Sequence, residues 1–394
     1  MCWLDAALDR DRVLAYCRIL LAVEIAVFLF LVAGTHGLIV PLTEPTSTDF
    51  LSFYAAGDLA DAGTPQLVYD QAAHEAAEQR ITAPGVEYRY YPPVFLLLCA
   101  ALARLPYLAA FIAFEAATFA LYLIVMRRIL AGRGWAVVIP ILAFPPLFWV
   151  LGLGQNSFLT AALFGAGTLW TDRRPILAGL CFGALCYKPH FGLLVPVALL
   201  AGCHWRVLGA AFGSAAALCA LSLILFGWET WHGFFAAAAV SHATYESGRI
   251  NLGALVTPFF GVLLAGGTPQ AACITQIAAT LGAGSFVAIV WRRGLALPIR
   301  AAALTAATLV AIPVALMYDL MLAGIAAAWL VRDPAGLVGR EKVVLAALFV
   351  LAMISPGLAE ALHLPFGPIV ALSLLALTAV RTLPGRAIRR AATA

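Results

Sequence analysis

Charge is what this sequence has least of. Only 11% of its 394 residues are Asp, Glu, Lys or Arg, while 63% are hydrophobic and the mean hydropathy is +0.96. So few charges cannot cover a soluble globule of this length, which excludes a soluble enzyme and implies an integral membrane protein. Lysine is nearly missing, with Lys188 and Lys342 the only two. The arginines stand in short clusters between apolar runs rather than along one face, which argues against nucleic acid as a partner. The eight cysteines form no Cys-x-x-Cys pair and lie mostly inside apolar runs. They predict neither a disulfide framework nor a zinc site, and read as small apolar core residues. A clean signal peptide is also missing: Asp5, Asp9 and Asp11 interrupt the basic region, and the apolar run from Val13 to Val40 is too long for a signal core. That run reads as a first, retained span.

What is present is a succession of apolar runs of bilayer length, with no internal repeat, low-complexity linker or soluble terminal domain. The expected fold is all-α and polytopic, with residues 1–394 as a single membrane domain. The basic clusters are Arg10/Arg12, Arg127/Arg128/Arg133, Arg173/Arg174, Arg206, Arg292/Arg293/Arg300, Arg332/Arg340/Lys342 and Arg381/Arg386/Arg389/Arg390. Placing them all in the cytoplasm gives about twelve spans with both termini inside. Residues 41–91 then form a first extracytoplasmic loop and residues 227–252 a second. Ile176–Tyr187 and Pro189–Gly202 are too short for two crossings of about 20 residues each, so short helices lining a cavity are expected there. Pro92-Pro93 and Leu105-Pro106 divide the next stretch into a short interfacial helix and a full span.

The first loop is the polar island of the chain. It carries Glu44, Asp49, Asp58, Asp61, Asp70, Glu75, Glu78 and Glu87 against Arg80 and Arg89. Spanning a bilayer needs no such insert, so water-exposed chemistry is expected there. Asp49, followed by Phe50, Phe53 and Tyr54, is a carboxylate at the membrane boundary that can accept a proton from a hydroxyl, with apolar rings to raise its pKa. The plainer reading is a solvated residue or a helix cap, since Thr48-Asp49 looks like a helix start. Tyr88, Tyr90 and Tyr91 precede a proline pair; such rings pack on sugars, and equally form interfacial belts. Gln155 and Asn156 offer amides to sugar hydroxyls or phosphate, or cap the next helix. Lys188 is a lone cation in an apolar region, suited to an anionic phosphate, with snorkelling as the alternative. His190 follows it and caps or packs just as well. The second loop adds His242, Arg249 and Asn251, with Arg249 able to grip phosphate in a bidentate way. Tyr318-Asp319 is a further charge in an apolar region, whose plainer reading is pairing with a basic residue. Glu24 and Glu115, inside expected spans, read as buried partners without a role. The histidines show no metal-ligand spacing.

Taken together, Asp49-Phe50-x-x-Phe53-Tyr54-x-Ala56-Gly57, Tyr69-Asp70, Tyr91-Pro92-Pro93, Gly154-Gln155-Asn156, Ala178-Gly179-Leu180 leading to Lys188-Pro189, and the late Tyr318-Asp319 resemble glycosyltransferase family 87. The resemblance runs from Ser47 to Asp319. It implies a helical bundle of the glycosyltransferase C type whose site faces away from the cytoplasm, and transfer of mannose from a polyprenyl phosphate. The family's catalytic aspartate falls on Asp49 and its basic mid-chain position on Lys188. One departure stands out. Such proteins often carry a histidine just after the late Tyr-Asp, where this chain has Leu320 and Met321. His190, His242 or His363 would have to substitute, or the acceptor differs.

The reading that follows is an inverting, membrane-embedded glycosyltransferase of the bacterial plasma membrane. Its partners are a polyprenyl-phosphate sugar, a lipid or glycan acceptor and membrane lipids, and no metal or other cofactor is expected. Tyr54, Tyr90, Tyr91, Gln155, Asn156, Lys188, His190, His242, Arg249, Asn251, Tyr318 and Asp319 are the candidate substrate-binding residues around Asp49. A transporter or flippase of a lipid-linked or acidic solute is the alternative, and would favour inverted repeats and a midplane site. A membrane O-acyltransferase would want a buried His paired with Asn or Asp inside a span.

Overall fold

Proline and glycine break the apolar runs into helices. Pro146, Pro175, Pro258 and Pro269 each stand in the first turn of a helix, where the missing N–H removes no intrahelical bond. The computed structural model describes residues 8–34, 49–81, 91–131, 134–240, 251–354 and 356–383. Among them lie eighteen α-helices and no strand, only a lone bridge between Leu255 and Leu316.

The path begins with α1 (Arg10–Gly34), α2 (Asp49–Asp61), α3 (Gln71–Gln79), the short α4 (Leu96–Ala103) and the long α5 (Tyr107–Ile129). It continues through α6 (Val138–Leu142), α7 (Pro146–Leu153), α8 (Ser157–Trp170) and α9 (Pro175–Ala184) to two 3-10 turns, Leu185–Tyr187 and Pro189–Gly192. Next come α10 (Val195–Ala201), α11 (Trp205–Val240), α12 (Pro258–Leu264), α13 (Pro269–Arg292) and α14 (Leu297–Ala311). A 3-10 turn at Met317–Leu320 leads into α15 (Met321–Arg332), followed by α16 (Gly339–Met353), α17 (Pro356–Leu362) and α18 (Phe366–Arg381).

Among the described residues α1, α5, α11 and α13 are long and apolar enough to cross a bilayer, and α16 with α17 makes a fifth if that bent pair is one span. The chain is an all-helical, multi-pass membrane protein. Length alone therefore supplies four or five of the roughly twelve expected crossings. The others would fall to apolar helices of 10–17 residues, such as α8, α14 and α18. The short α9 and α10 flank Lys188, and α4 precedes α5, where the proline spacing predicts them.

Two cores hold the bundle. In the larger, α14 and α15 are buried almost all round, which a helix apolar on every face requires. Ala301, Ala302, Ala303, Ala306 and Ala307 keep α14 thin enough for α13, α15 and α18 to close on it. Its Thr305 and Thr308 donate to carbonyls four residues back, so no buried hydroxyl is stranded. The smaller core is aromatic, with Phe50, Phe53, Tyr91, Phe95, Tyr107 and Phe114 gathered from α2, α5 and the turn before α4. Gly57 lets α2 and α4 touch there, since a Cβ on it would stand 2.1 Å from the Cys99 carbonyl oxygen.

The ionic groups give the bundle two distinct ends. Arg381 binds Asp333 and Glu341. Arg332 donates to the carbonyls of Arg128 and Ile129 at the close of α5. Arg300 meets Asp172, beside Arg173, at 2.7 Å and His204 at 3.0 Å. The clusters from Arg127 to Arg381 thus converge on one end. From there α8 runs 14 residues, about 21 Å, to Ser157 at the other end, and α15 likewise runs back to Asp319. Arg104, which the cluster reading passed over, lies apart from the basic end and holds Asp61 at 2.9 Å. The readings of Glu24 and Glu115 as buried partners need correcting: both are buried, but their carboxyl oxygens meet no hydrogen-bond partner among the described residues.

Candidate active site

Asp49 is the first residue of α2. Its place is set by its neighbour Phe50, on which the α7–α8 turn rests. Gly154 ends α7 with φ 67°, and a Cβ there would come within 2.4 Å of the Phe50 Cβ. Both backbone and space therefore demand glycine. That contact brings the next residue, Gln155, against Asp49. Gln155 Nε2 donates to Asp49 Oδ2 at 2.6 Å. Its Oε1 accepts from the Asn156 backbone N–H at 3.0 Å and from the Tyr91 hydroxyl at 3.4 Å. Asn156 stands at the N-cap of α8, yet its side chain makes no capping bond. Its amide is fully buried and neither polar atom has a hydrogen-bond partner among the described residues, although it lies close enough to bear on the Tyr91 phenol.

The other half of the cluster is an ion pair. Lys188, between its two 3-10 turns, reaches Asp319 Oδ1 at 3.1 Å with both side chains buried. Ser157 Oγ donates to the same oxygen at 2.8 Å, and the Leu316 N–H to Oδ2 at 3.2 Å. The pairing foreseen as the plainer reading of Asp319 is present, and its partner is the other candidate cation. The Lys188 ammonium also lies 5.4 Å from the Phe191 ring centre, 5.5 Å from that of Tyr318 and 6.0 Å from that of Tyr91. Tyr91 thus joins the two halves. Its ring stacks on Phe95 at 4.9 Å, and Phe95 stacks on Tyr187 at 5.2 Å.

The two halves feel each other. Burial pushes the Asp49 carboxyl up to about 6; the Gln155 hydrogen bond and Lys188 pull it down, and Asp319 raises it. Burial, Asp49 and Asp319 raise the Tyr91 phenol above its ordinary value, so it keeps its proton. The cluster therefore offers a carboxylate with one oxygen held and Oδ1 without a partner among the described residues, beside an ammonium with one hydrogen bond and capacity for three. Such a pairing suits deprotonation of a hydroxyl beside a developing anion.

A sequence profile of glycosyltransferase family 87 matches residues 90–317. The chain belongs to glycosyltransferase family 87. No curated protein and no solved structure matches it. The profile takes in Tyr91, Gln155, Asn156 and Lys188; Tyr318 and Asp319 lie just beyond its end and Asp49 well before its start, and these three join the cluster by geometry alone.

In this glycosyltransferase the remaining candidates divide. His190 is within electrostatic range of Lys188 and Asp319, with its ring against Phe191. Tyr54 is turned elsewhere, its hydroxyl donating to the Leu105 carbonyl at 2.8 Å. Asn251 caps the 3-10 turn Leu252–Ala254 by accepting from the Gly253 N–H at 2.8 Å. Tyr90, His242 and Arg249 lie outside the described residues, as do residues 41–48 and 82–90 of the first outer loop and 241–250 of the second. Ser157, Thr160 and Tyr187 were not foreseen. Thr160 and Tyr187 share a 2.6 Å hydroxyl contact beneath the Asn156 carbonyl. Their adjacency to Gln155-Asn156 and to Lys188 was the available signal. Among the described residues no group of three or more His, Cys, Asp or Glu side chains gathers as metal ligands.

Proposed function

We propose that this glycosyltransferase moves a sugar, mannose first among the candidates, from a polyprenyl phosphate to a hydroxyl of a lipid or glycan acceptor, with inversion. The observation that carries the reading is Asp49, a half-engaged carboxylate beside the Lys188–Asp319 pair. Asp49 takes the acceptor proton as the acceptor oxygen attacks the anomeric carbon. The bond from that carbon to the phosphate oxygen breaks on the opposite face, through an oxocarbenium-like transition state. The electron pair leaves with the polyprenyl phosphate, whose charge Lys188 offsets, with Arg249 and His190 as further donors. Tyr91, Asn156 and Tyr318 line the sugar's place. Phosphate is already a good leaving group, so the scheme asks for no metal.

Asp319 is a poor alternative base, because Lys188, Ser157 and the Leu316 N–H already occupy its oxygens. Orientation follows from the two ends. If the arginine end faces the cytoplasm, the site opens on the extracytoplasmic side of the bacterial plasma membrane, where the lipid tail of the donor lies in the bilayer. The test is transfer of radiolabelled mannose from its polyprenyl phosphate into a membrane lipid extract by the purified, reconstituted protein, beside Asp49→Asn. Label with the wild type alone supports reaction and base together. Label with both removes Asp49 as base. With no label from any polyprenyl-phosphate sugar, the donor class is wrong.

A further inference from the structure

Gln155 entered as a candidate contact for substrate, but its surroundings describe another task. It is 3% exposed, and its amide is held at both ends. The Asn156 backbone N–H can only donate, so the Gln155 atom facing it at 3.0 Å is oxygen. The Tyr91 hydroxyl, which keeps its proton, approaches the same oxygen at 3.4 Å. The amide nitrogen is thereby turned to Asp49, 2.6 Å away, and a flipped amide would set oxygen against the carboxylate. Nor can the backbone slide, because Gly154 is wedged under Phe50. The whole turn from α7 to α8 fixes one N–H on one oxygen of Asp49 and leaves the other oxygen without a partner among the described residues.

We infer that Gln155 is the positioning residue of the general base, clamping Asp49 by Oδ2 so that Oδ1 receives the acceptor proton. This rests on the proposed role of Asp49. A hydrogen bond to a carboxylate favours the ionised form, against the burial that disfavours it. Gln155 thus sets both the aim of the base and the fraction ready to act at neutral pH.

The experiment compares the pH dependence of transfer for wild type, Gln155→Leu, Gln155→Glu and Asp49→Asn, using radiolabelled polyprenyl-phosphate mannose and a membrane lipid extract. In parallel, the carboxylate infrared band, assigned by subtraction of Asp49→Asn, is titrated without any sugar. For Gln155→Leu the acidic limb and the infrared midpoint should both move up by about one pH unit. The kcat at neutral pH should fall by about tenfold, recovering in part at higher pH. The donor KM should stay within about twofold of wild type. Gln155→Glu should move the limb up further, since two adjoining carboxyls share a proton. An unmoved limb and midpoint would overturn the inference, as would a loss confined to donor KM, which would return Gln155 to substrate binding. If Gln155→Leu does not fold, Gln155→Glu and its infrared midpoint decide alone. Turnover surviving in Asp49→Asn would instead sink the base itself, whereas a dead Asp49→Asn beside an unshifted Gln155→Leu sinks the clamp only.

Discussion

Buried charge sits at both ends of this bundle, and the two ends treat it differently. At the arginine end, Arg381 spends its donors on Asp333, Glu341 and the carbonyls of Leu330 and Gly336, and Glu341 also accepts from the Val338 N–H. Arg300 is shared among Asp172, His204 and the Leu295 carbonyl. At the other end, among the described residues, Lys188 makes one hydrogen bond, Asp49 makes one and the Asn156 amide makes none. A saturated network has nothing left for a ligand and serves to tie helices together. An unsaturated one bears a desolvation cost that a substrate can relieve. The contrast separates structural from functional charge in a chain whose membrane setting makes every buried charge look conspicuous.

The largest break in that contrast is Asp49→Asn. Loss of a general base lowers turnover by about 10²- to 10⁴-fold. Asparagine still offers an oxygen to Gln155, so the melting temperature in detergent should hardly change. An unfolded variant would mean that Asp49 is structural. Arg381→Ala should do the reverse, costing about 3–5 kcal/mol of stability by taking the shared guanidinium away from Asp333 and Glu341. Its kcat per folded molecule should stay at the wild-type level; a selective loss of turnover would erase the distinction between the ends.

Lys188 sharpens the comparison because it belongs to both categories. Lys188→Met should raise the donor KM by about tenfold or more. Its stability loss should be smaller than that of Arg381→Ala, because Asp319 keeps Ser157 and the Leu316 N–H. Adding Asp319→Asn should return the stability, as the buried charge is then gone, without returning transfer. Donor affinity unchanged in Lys188→Met, read by equilibrium binding of polyprenyl-phosphate mannose, would leave the ion pair with structure alone.

Much of this division was legible in the chain before any coordinates. The arginine clusters marked one end; Lys188 and Asp319 stood out because a charge in an apolar region is costly, Asp49 as a carboxylate in the polar island at the membrane boundary, Tyr91 as a ring before a proline pair, and Gln155 and Asn156 as amides at the end of a span. What local pattern does not carry is pairing across 131 positions, as between Lys188 and Asp319, or 106, as between Asp49 and Gln155. Those distances are set by α7, α8 and α15 crossing, and by Gly154 admitting Phe50. The spacing of Tyr54 from Asp49 does not carry side-chain direction: five residues on, it leans toward Tyr107 and the Leu105 carbonyl. Nor does local pattern show that Asn251, a polar residue ahead of a short turn, caps that turn through the Gly253 N–H. The crossing count turns on helices of 10–17 residues, which length does not by itself assign to spans.

The smallest expected effect lies in pH, and it separates the two ends by sign. Asp49, lifted by burial to about 6, must be ionised to accept a proton. Transfer should therefore be flat above that value and fall about tenfold per pH unit below it. The fold should not weaken over the same interval on account of Asp49. A carboxyl whose folded pKa lies above its unfolded value of 3.8 binds its proton more readily in the native state, so its contribution to stability rises as pH falls from about 6. Glu341 at the arginine end runs the other way. Its carboxyl sits below the ordinary value despite burial, because Arg381, the Val338 N–H and Arg340 favour the ionised form. Its share of stability is complete above the ordinary carboxylate range and is lost as pH falls through its own lowered value. A pH series of melting temperature and of turnover on one preparation tests this: activity should decline near 6 while the melting temperature holds, and the melting temperature should fall only in stronger acid. Both curves breaking together near 6 would mean that turnover fails there because the fold fails, and would take the acidic limb away from Asp49.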